Sequence, residues 1–189
     1  MGKNFYNIDD FGYLKYFKDH FSQIQEEYQN AQNLIPEFHA FINNENCEFP
    51  SHTLYWLEEN GIYDDPRNGI WEAFPVYKNG FPVKWYDAPS TFKTLFKGFD
   101  NIPGFKSCFF FKLGPDSETF EHSHIDNNLI MHISMQDTNG PCILNCEGED
   151  RSLAKVGDSL LFNNSKKHYT YNKGTADRIS LIIDIASPL

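Results

Sequence analysis

The chain has 189 residues, of which 40 % are hydrophobic and 16 % aromatic; that supplies one sizeable core and excludes a disordered chain. A formal net charge of −10 opposes the phosphate backbone and sets nucleic acid aside as a partner. No run of about 18 apolar residues is present, so no membrane-spanning helix is expected.

The start, Met1-Gly2-Lys3-Asn4-Phe5, lacks an apolar signal core, and Tyr6 stands where a myristoylation signal has Ser or Thr. Residues 9–31 follow, with Leu14, Phe17, Phe21, Ile24 and Tyr28 recurring at steps of three and four. That spacing predicts a helix with one apolar face, capped by Asp9 or Asp10. Residues 34–60 read as irregular and short helical structure, and 62–70 as turn-rich. Residues 1–70 are thus expected to form a helical and irregular extension, and 71–189 a β domain, the two packed as one compact unit. Trp71–Tyr77 and Gly80–Trp85 flank Lys78-Asn79-Gly80 as a strand, turn and strand. Residues 90–99 suit a short helix capped by Ser90.

Beyond Pro103-Gly104, short strands are predicted at 106–113, 129–135, 142–146, 151–154, 158–162, 168–172 and 178–186. Turn signals such as Asn139-Gly140-Pro141 and Asn163-Asn164-Ser165 separate them. The chain is therefore mainly β, a sandwich or jelly roll. Four cysteines, Cys47, Cys108, Cys142 and Cys146, form no paired zinc-ribbon spacing and read as free thiols in a reducing cytosol. A structural zinc site would require Cys146 to reach the histidines.

Alternation within two strands carries chemistry. Leu129, Met131, Ile133 and Met135 share one face, opposite Ile130, His132 and Ser134. Ile179, Leu181, Ile183 and Ile185 share a face opposite Arg178, Ser180, Ile182 and Asp184. A period of two places His132 and Arg178 on the polar faces, where a barrel interior would hold a site.

Four of the seven histidines, His122, His124, His132 and His168, lie in the C-terminal half. A mononuclear iron site takes two histidines, with a carboxylate from a His-x-Asp segment in common cases, and leaves positions open for co-substrate and O2. His122-Ser123-His124 and His168 offer nitrogen ligands, and His124-Ile125-Asp126 reads as His-x-Asp. Arg178, ten residues after His168, offers a planar guanidinium for the distal carboxylate of 2-oxoglutarate. Trp71, Phe74, Tyr77 and Trp85 either line an entrance or, the better reading, pack in the core.

These stretches resemble the aspartyl/asparaginyl β-hydroxylase family of Fe(II)/2-oxoglutarate dioxygenases from about Trp71 to Leu189. Leu113-Gly114-Pro115-Asp116 with Glu121-His122 resembles the family's Leu-x-Pro-Gly…Pro-His entry, and Leu129-Ile130-Met131-His132 its Leu-Arg-x-His strand. Gly157 through Phe162-Asn163 to His168 resembles its Gly-x-x-x-x-Phe-Asp…His segment. Arg178 through Asp184-Ile185 to Pro188-Leu189 resembles its Arg-Leu-x-x-x-x-Asp-Val…Pro-Leu ending. The resemblance implies a double-stranded β-helix of the cupin-like kind, Fe(II) on His122 and His168, and 2-oxoglutarate on Arg178 and His132. O2 would be the oxidant.

Three departures from the family pattern stand out. His124 replaces the Asp or Gly two residues after the first ligand, which leaves His124, Asp126 or water as the third ligand. Ile130 stands where the family has Arg, and Phe111 where a polar residue is expected. A plain aspartyl substrate is thereby disfavoured. The sequence reading is a cytoplasmic hydroxylase acting on an sp³ carbon of an amino-acid-like, peptide, carrier-tethered or other small substrate. A halogenase, a three-histidine dioxygenase on the same fold and a non-catalytic jelly-roll binding protein are the alternatives.

Overall fold

The computed structural model describes residues 3–32, 71–78, 80–83, 86–119 and 121–187. In chain order these form β1 (Phe5–Tyr6), a 3₁₀ turn (Ile8–Asp10), α1 (Gly12–Asp19), α2 (Phe21–Ala31), β2 (Trp71–Lys78), β3 (Phe81–Pro82), α3 (Ala88–Thr91) and α4 (Lys93–Phe99). Eight strands follow: β4 (Phe105–Leu113), β5 (Ser117–Glu118), β6 (Asn128–Ser134), β7 (Cys142–Cys146), β8 (Glu149–Ser152), β9 (Ser159–Asn163), β10 (His168–Asn172) and β11 (Arg178–Ala186). Residues 34–60 and 62–70, with Cys47, and Trp85 lie outside the described residues.

The last eight strands pair as one long antiparallel ribbon: β4 with β11, β5 with β10, β6 with β9, β7 with β8. Cross-pairing of β6 with β11 and of β7 with β10 fuses the wound ribbon into two sheets. Their orders are β1-β9-β6-β11-β4-β2-β3 and β5-β10-β7-β8. This is the double-stranded β-helix, and the alternation read from the sequence tells its two faces apart.

The apolar face of the large sheet turns outward. Met131, Ile133, Leu181, Ile183, Phe110 and Val76 form one buried core with Leu14, Phe17, Ile24 and Leu95 of the helices. Tyr28 lies 4.5 Å, ring to ring, from Phe110, so the predicted helical face is the one that docks. Each such side chain contributes about 1.5–3 kcal/mol when removed from water. α4 approaches closely because Gly98 has no side chain; a Cβ there would stand 2.6 Å from the Phe17 ring. Phe74 and Tyr77 join this core rather than an entrance, with Phe74 stacked 5.3 Å from Tyr86 and Tyr77 4.7 Å from Phe105.

Several local expectations are corrected. The helix of 9–31 is broken at His20, whose backbone leaves the helical region (φ −107°, ψ 18°) and whose ring stacks 4.0 Å from Tyr16. Asn7, not Asp9 or Asp10, caps the first turn, its side chain accepting from the Asp9 N–H. Asp87, not Ser90, caps the 88–91 helix, its carboxylate accepting from the Ser90 N–H. β8 occupies Glu149–Ser152, two residues before its predicted start-point. β1 and β5, two residues each, are too short to leave a periodic signal.

Candidate metal centre

The inner faces of the two sheets meet in the barrel. From its mouth inward, β11 presents Asp184, Ile182, Ser180 and Arg178, and β6 presents Ile130 and His132, paired across the strands as Ile130–Asp184 and His132–Ile182. β10 presents His168 and then Thr170 from the opposite sheet. Leu144, Cys146, Leu160 and Phe162 fill the space between as a small second apolar cluster.

Three histidines converge at the mouth. His168 opens β10, and its backbone bridges His122 in both directions: the His122 N–H donates to the His168 carbonyl at 3.0 Å, and the His168 N–H returns to His122 at 2.8 Å. Two residues on, the His124 N–H donates to the Asn164 carbonyl at 3.0 Å. One ligand atom from each of His122, His124 and His168 lies within 4.8 Å of the others. The rings of His122 and His168 are 4.3 Å apart and those of His124 and His168 5.6 Å.

The protonation chemistry suits a cation. Nδ1 of His168 lies 2.8 Å from the Lys166 carbonyl, which only accepts, so Nδ1 carries the hydrogen and Nε2 keeps its lone pair. Burial and the adjacent His122 push the pKa of His168 down to about 3. Burial and His122 lower that of His124 too, against an opposing pull from Asp126. Both rings are neutral at pH 7, the state a metal ligand needs.

Asp126 is not in this group. It is exposed and pairs with Lys106 at 3.4 Å, so among the candidates for third ligand the fold brings in His124. Cys146 is not in the group either: it is a buried free thiol inside the barrel, as is Cys142, which leaves no Cys/His zinc site among the described residues.

Deeper in the barrel, Arg178 is only 1 % exposed. Its Nη1 donates to Thr170 Oγ1 and it also bonds the Cys142 sulfur, while its Nε has no partner. No carboxylate among the described residues pairs with it. Ser180 Oγ and His132 Nδ1 are likewise buried without partners. Burial, then Arg178 and His168, hold the His132 pKa well below its ordinary value, so this ring is a neutral hydrogen-bonding group close to both His168 and Arg178. Three orphaned polar atoms around one buried guanidinium are costly unless a polar ligand meets them.

A family model described as aspartyl/asparaginyl beta-hydroxylase matches residues 18–188. The chain belongs to that family. No curated protein matches it. Among solved structures, it is similar to the cupin domain of an XRE-family transcriptional regulator from Enterobacter cloacae, with 17 % identity and a TM-score of 0.41 over 63 % of this chain and 98 % of that one. It is also similar to a cupin 2 conserved barrel domain protein from Salinispora arenicola, with 16 % identity and a TM-score of 0.40 over 62 % and 76 % of the two chains.

Within this hydroxylase family, the departures anticipated above sit on the inner wall. Phe111 lies directly across from Ser180 and Ile130 across from Asp184, so each sets an apolar side chain against a polar one on the inner wall. Sequence reasoning missed Thr170 and Cys142, which bond Arg178. Thr170 was legible in principle, since it shares a strand face with His168.

Proposed function

We propose that this protein is an Fe(II)/2-oxoglutarate-dependent oxygenase that hydroxylates an sp³ carbon of an amino-acid-like, peptide or other small substrate. His122, His168 and His124 would hold the metal. Arg178 would take the distal carboxylate of 2-oxoglutarate, and His132, Ser180 and Thr170 offer hydrogen bonds beside it. The observation that carries this reading is the Arg178 cation, buried on the inner wall below three clustered histidines with no carboxylate among the described residues to neutralise it. A dicarboxylate chelating a metal at the mouth has a second carboxylate to send down to that guanidinium.

The metal with its co-substrate would supply the oxidising power, using O2 and releasing succinate and CO2. The chain's own residues do the rest. The Lys166 carbonyl fixes the ring of His168, and the apolar walls at Ile130, Phe111 and Phe162 exclude water. Loss of polar groups at positions 111 and 130 favours a substrate less acidic than a free aspartate.

The absence of a carboxylate, among the described residues, from the histidine group gives a second reading some support: a three-histidine dioxygenase that needs no 2-oxoglutarate. Arg178 speaks against it. A halide in the third position conflicts with His124 standing there. Incubation of Fe(II)-loaded protein with 2-oxoglutarate in air separates these readings. Slow succinate formation, lost in His168→Ala, supports the proposal; no consumption and no binding of 2-oxoglutarate overturns it.

A further inference from the structure

His168 and His122 are placed by strand pairing, but His124 is not. It lies two residues past the bridge, in a loop that belongs to no strand. Its place depends on the turn that follows β9. The His124 N–H donates to the Asn164 carbonyl at 3.0 Å, and the Asn164 N–H donates to the Asn128 carbonyl at 3.1 Å. The buried Asn164 side chain closes the link: its Oδ1 accepts from the Asn128 N–H at 3.0 Å. Asn164 thus meets the 122–128 loop at both ends, at His124 and at Asn128.

A neighbouring pair reinforces the seam. Asn127 Oδ1 accepts from Asn163 Nδ2 at 2.9 Å and from Ser165 Oγ at 3.4 Å, while Asn163 Oδ1 accepts from the Ser165 N–H at 2.9 Å. The loop carrying two of the histidines is therefore stitched to the loop that leads into the third.

We infer that Asn164 is a positioning residue for the metal centre, setting metal affinity by holding His124 against His122 and His168. This rests on the reading of those three histidines as ligands. It adds that the third ligand is supplied by a clamp between loops. Partners that orient ligands from outside the coordination shell commonly contribute about 10–100-fold in affinity. Asn164→Ala deletes only the side-chain arm and leaves both backbone links, so a loss near the lower end, about tenfold, is expected.

Co(II) serves as probe, followed by its visible absorption and by chelator competition, in wild type, His124→Ala, Asn164→Ala, Asn164→Asp and the His124→Ala/Asn164→Ala double variant. Asn164→Asp keeps an acceptor where Oδ1 stands and should bind Co(II) as wild type does. Asn164→Ala should weaken binding, and the double variant should bind no more weakly than His124→Ala alone, because the clamp acts through His124. Additive losses in the double variant, or wild-type affinity in Asn164→Ala, would overturn the inference while leaving the metal centre intact. Failure of the wild type to bind Co(II) would remove the metal centre and the inference with it. Thermal unfolding of the same set reports any general loss of stability, which would not show this dependence on His124.

Discussion

Replacing Arg178 by Met should make the ligand-free protein more stable and blind to 2-oxoglutarate. The wild-type guanidinium is fully desolvated, keeps hydrogen bonds to Thr170 and Cys142, and has no counter-ion among the described residues. Desolvating an ion costs several kcal/mol, and apolar replacement of buried ionic groups is neutral to stabilising by about 1–4 kcal/mol. Met is unbranched and flexible enough to fill the space, and Thr170 stays satisfied because its hydroxyl donates to the Ile143 carbonyl at 2.6 Å. Taking about 2 kcal/mol, and about 2–4 °C per kcal/mol for a chain of this size, the metal-free variant should melt roughly 4–8 °C higher. With Mn(II) in place of iron, 2-oxoglutarate at about 100 times its Kd should stabilise the wild type by about 2.7 kcal/mol, roughly 5–11 °C, and leave the variant unmoved. Differential scanning fluorimetry reads both shifts. A lower melting point for ligand-free Arg178→Met would refute the buried-cation argument; a surviving 2-oxoglutarate shift would refute the co-substrate assignment.

Other substitutions probe different parts. His168→Ala should abolish metal-dependent turnover and metal retention, measured by metal content after gel filtration, whereas Asp126→Ala should retain both. Asp184 has its pKa raised by burial to about 6, against the pull of Lys106. Its folded form therefore prefers the proton, and stability from this group is highest below about pH 4 and falls as pH rises to 6, by at most about 3 kcal/mol. The depressed histidines act in the opposite direction over part of this range, so the comparison is urea unfolding of wild type against Asp184→Asn, which should lose the downward component. Gly174→Ala should cost about 2 kcal/mol or more, since a Cβ there would stand 2.1 Å from the Thr138 carbonyl oxygen. Gly12→Ala meets nothing within 4 Å and should cost no stability. Equal melting points for the two would undo that packing argument.

Much of the barrel was legible because period two is a strong signal where one strand face is apolar and the other is not. β6 and β11 showed both faces in the sequence, and with them the inward direction of His132 and Arg178. The spacing of Leu14, Phe17, Ile24 and Tyr28 likewise predicted which helical face docks. The break at His20 was not legible, because the apolar spacing continues across it while the backbone does not. Caps shifted by a few residues because Asp, Asn and Ser at neighbouring positions carry the same local signal. At the candidate metal centre, His-x-His and His-x-Asp overlap in His122–Asp126, and only the fold separates them. It turns His124 toward His168 and leaves Asp126 exposed beside Lys106. Asn163, Asn164 and Ser165 read as turn punctuation in sequence; their second role appears only once the β5–β6 loop lies against them.

The most direct measurement is an anaerobic titration of Fe(II)-loaded protein with 2-oxoglutarate, monitored for the weak visible charge-transfer absorption of the chelated co-substrate. The account predicts a saturable band in the wild type, lost in His168→Ala and displaced to much higher 2-oxoglutarate concentration in Arg178→Met. Iron bound without any such band would contradict it and transfer the site to a three-histidine chemistry that does not use 2-oxoglutarate.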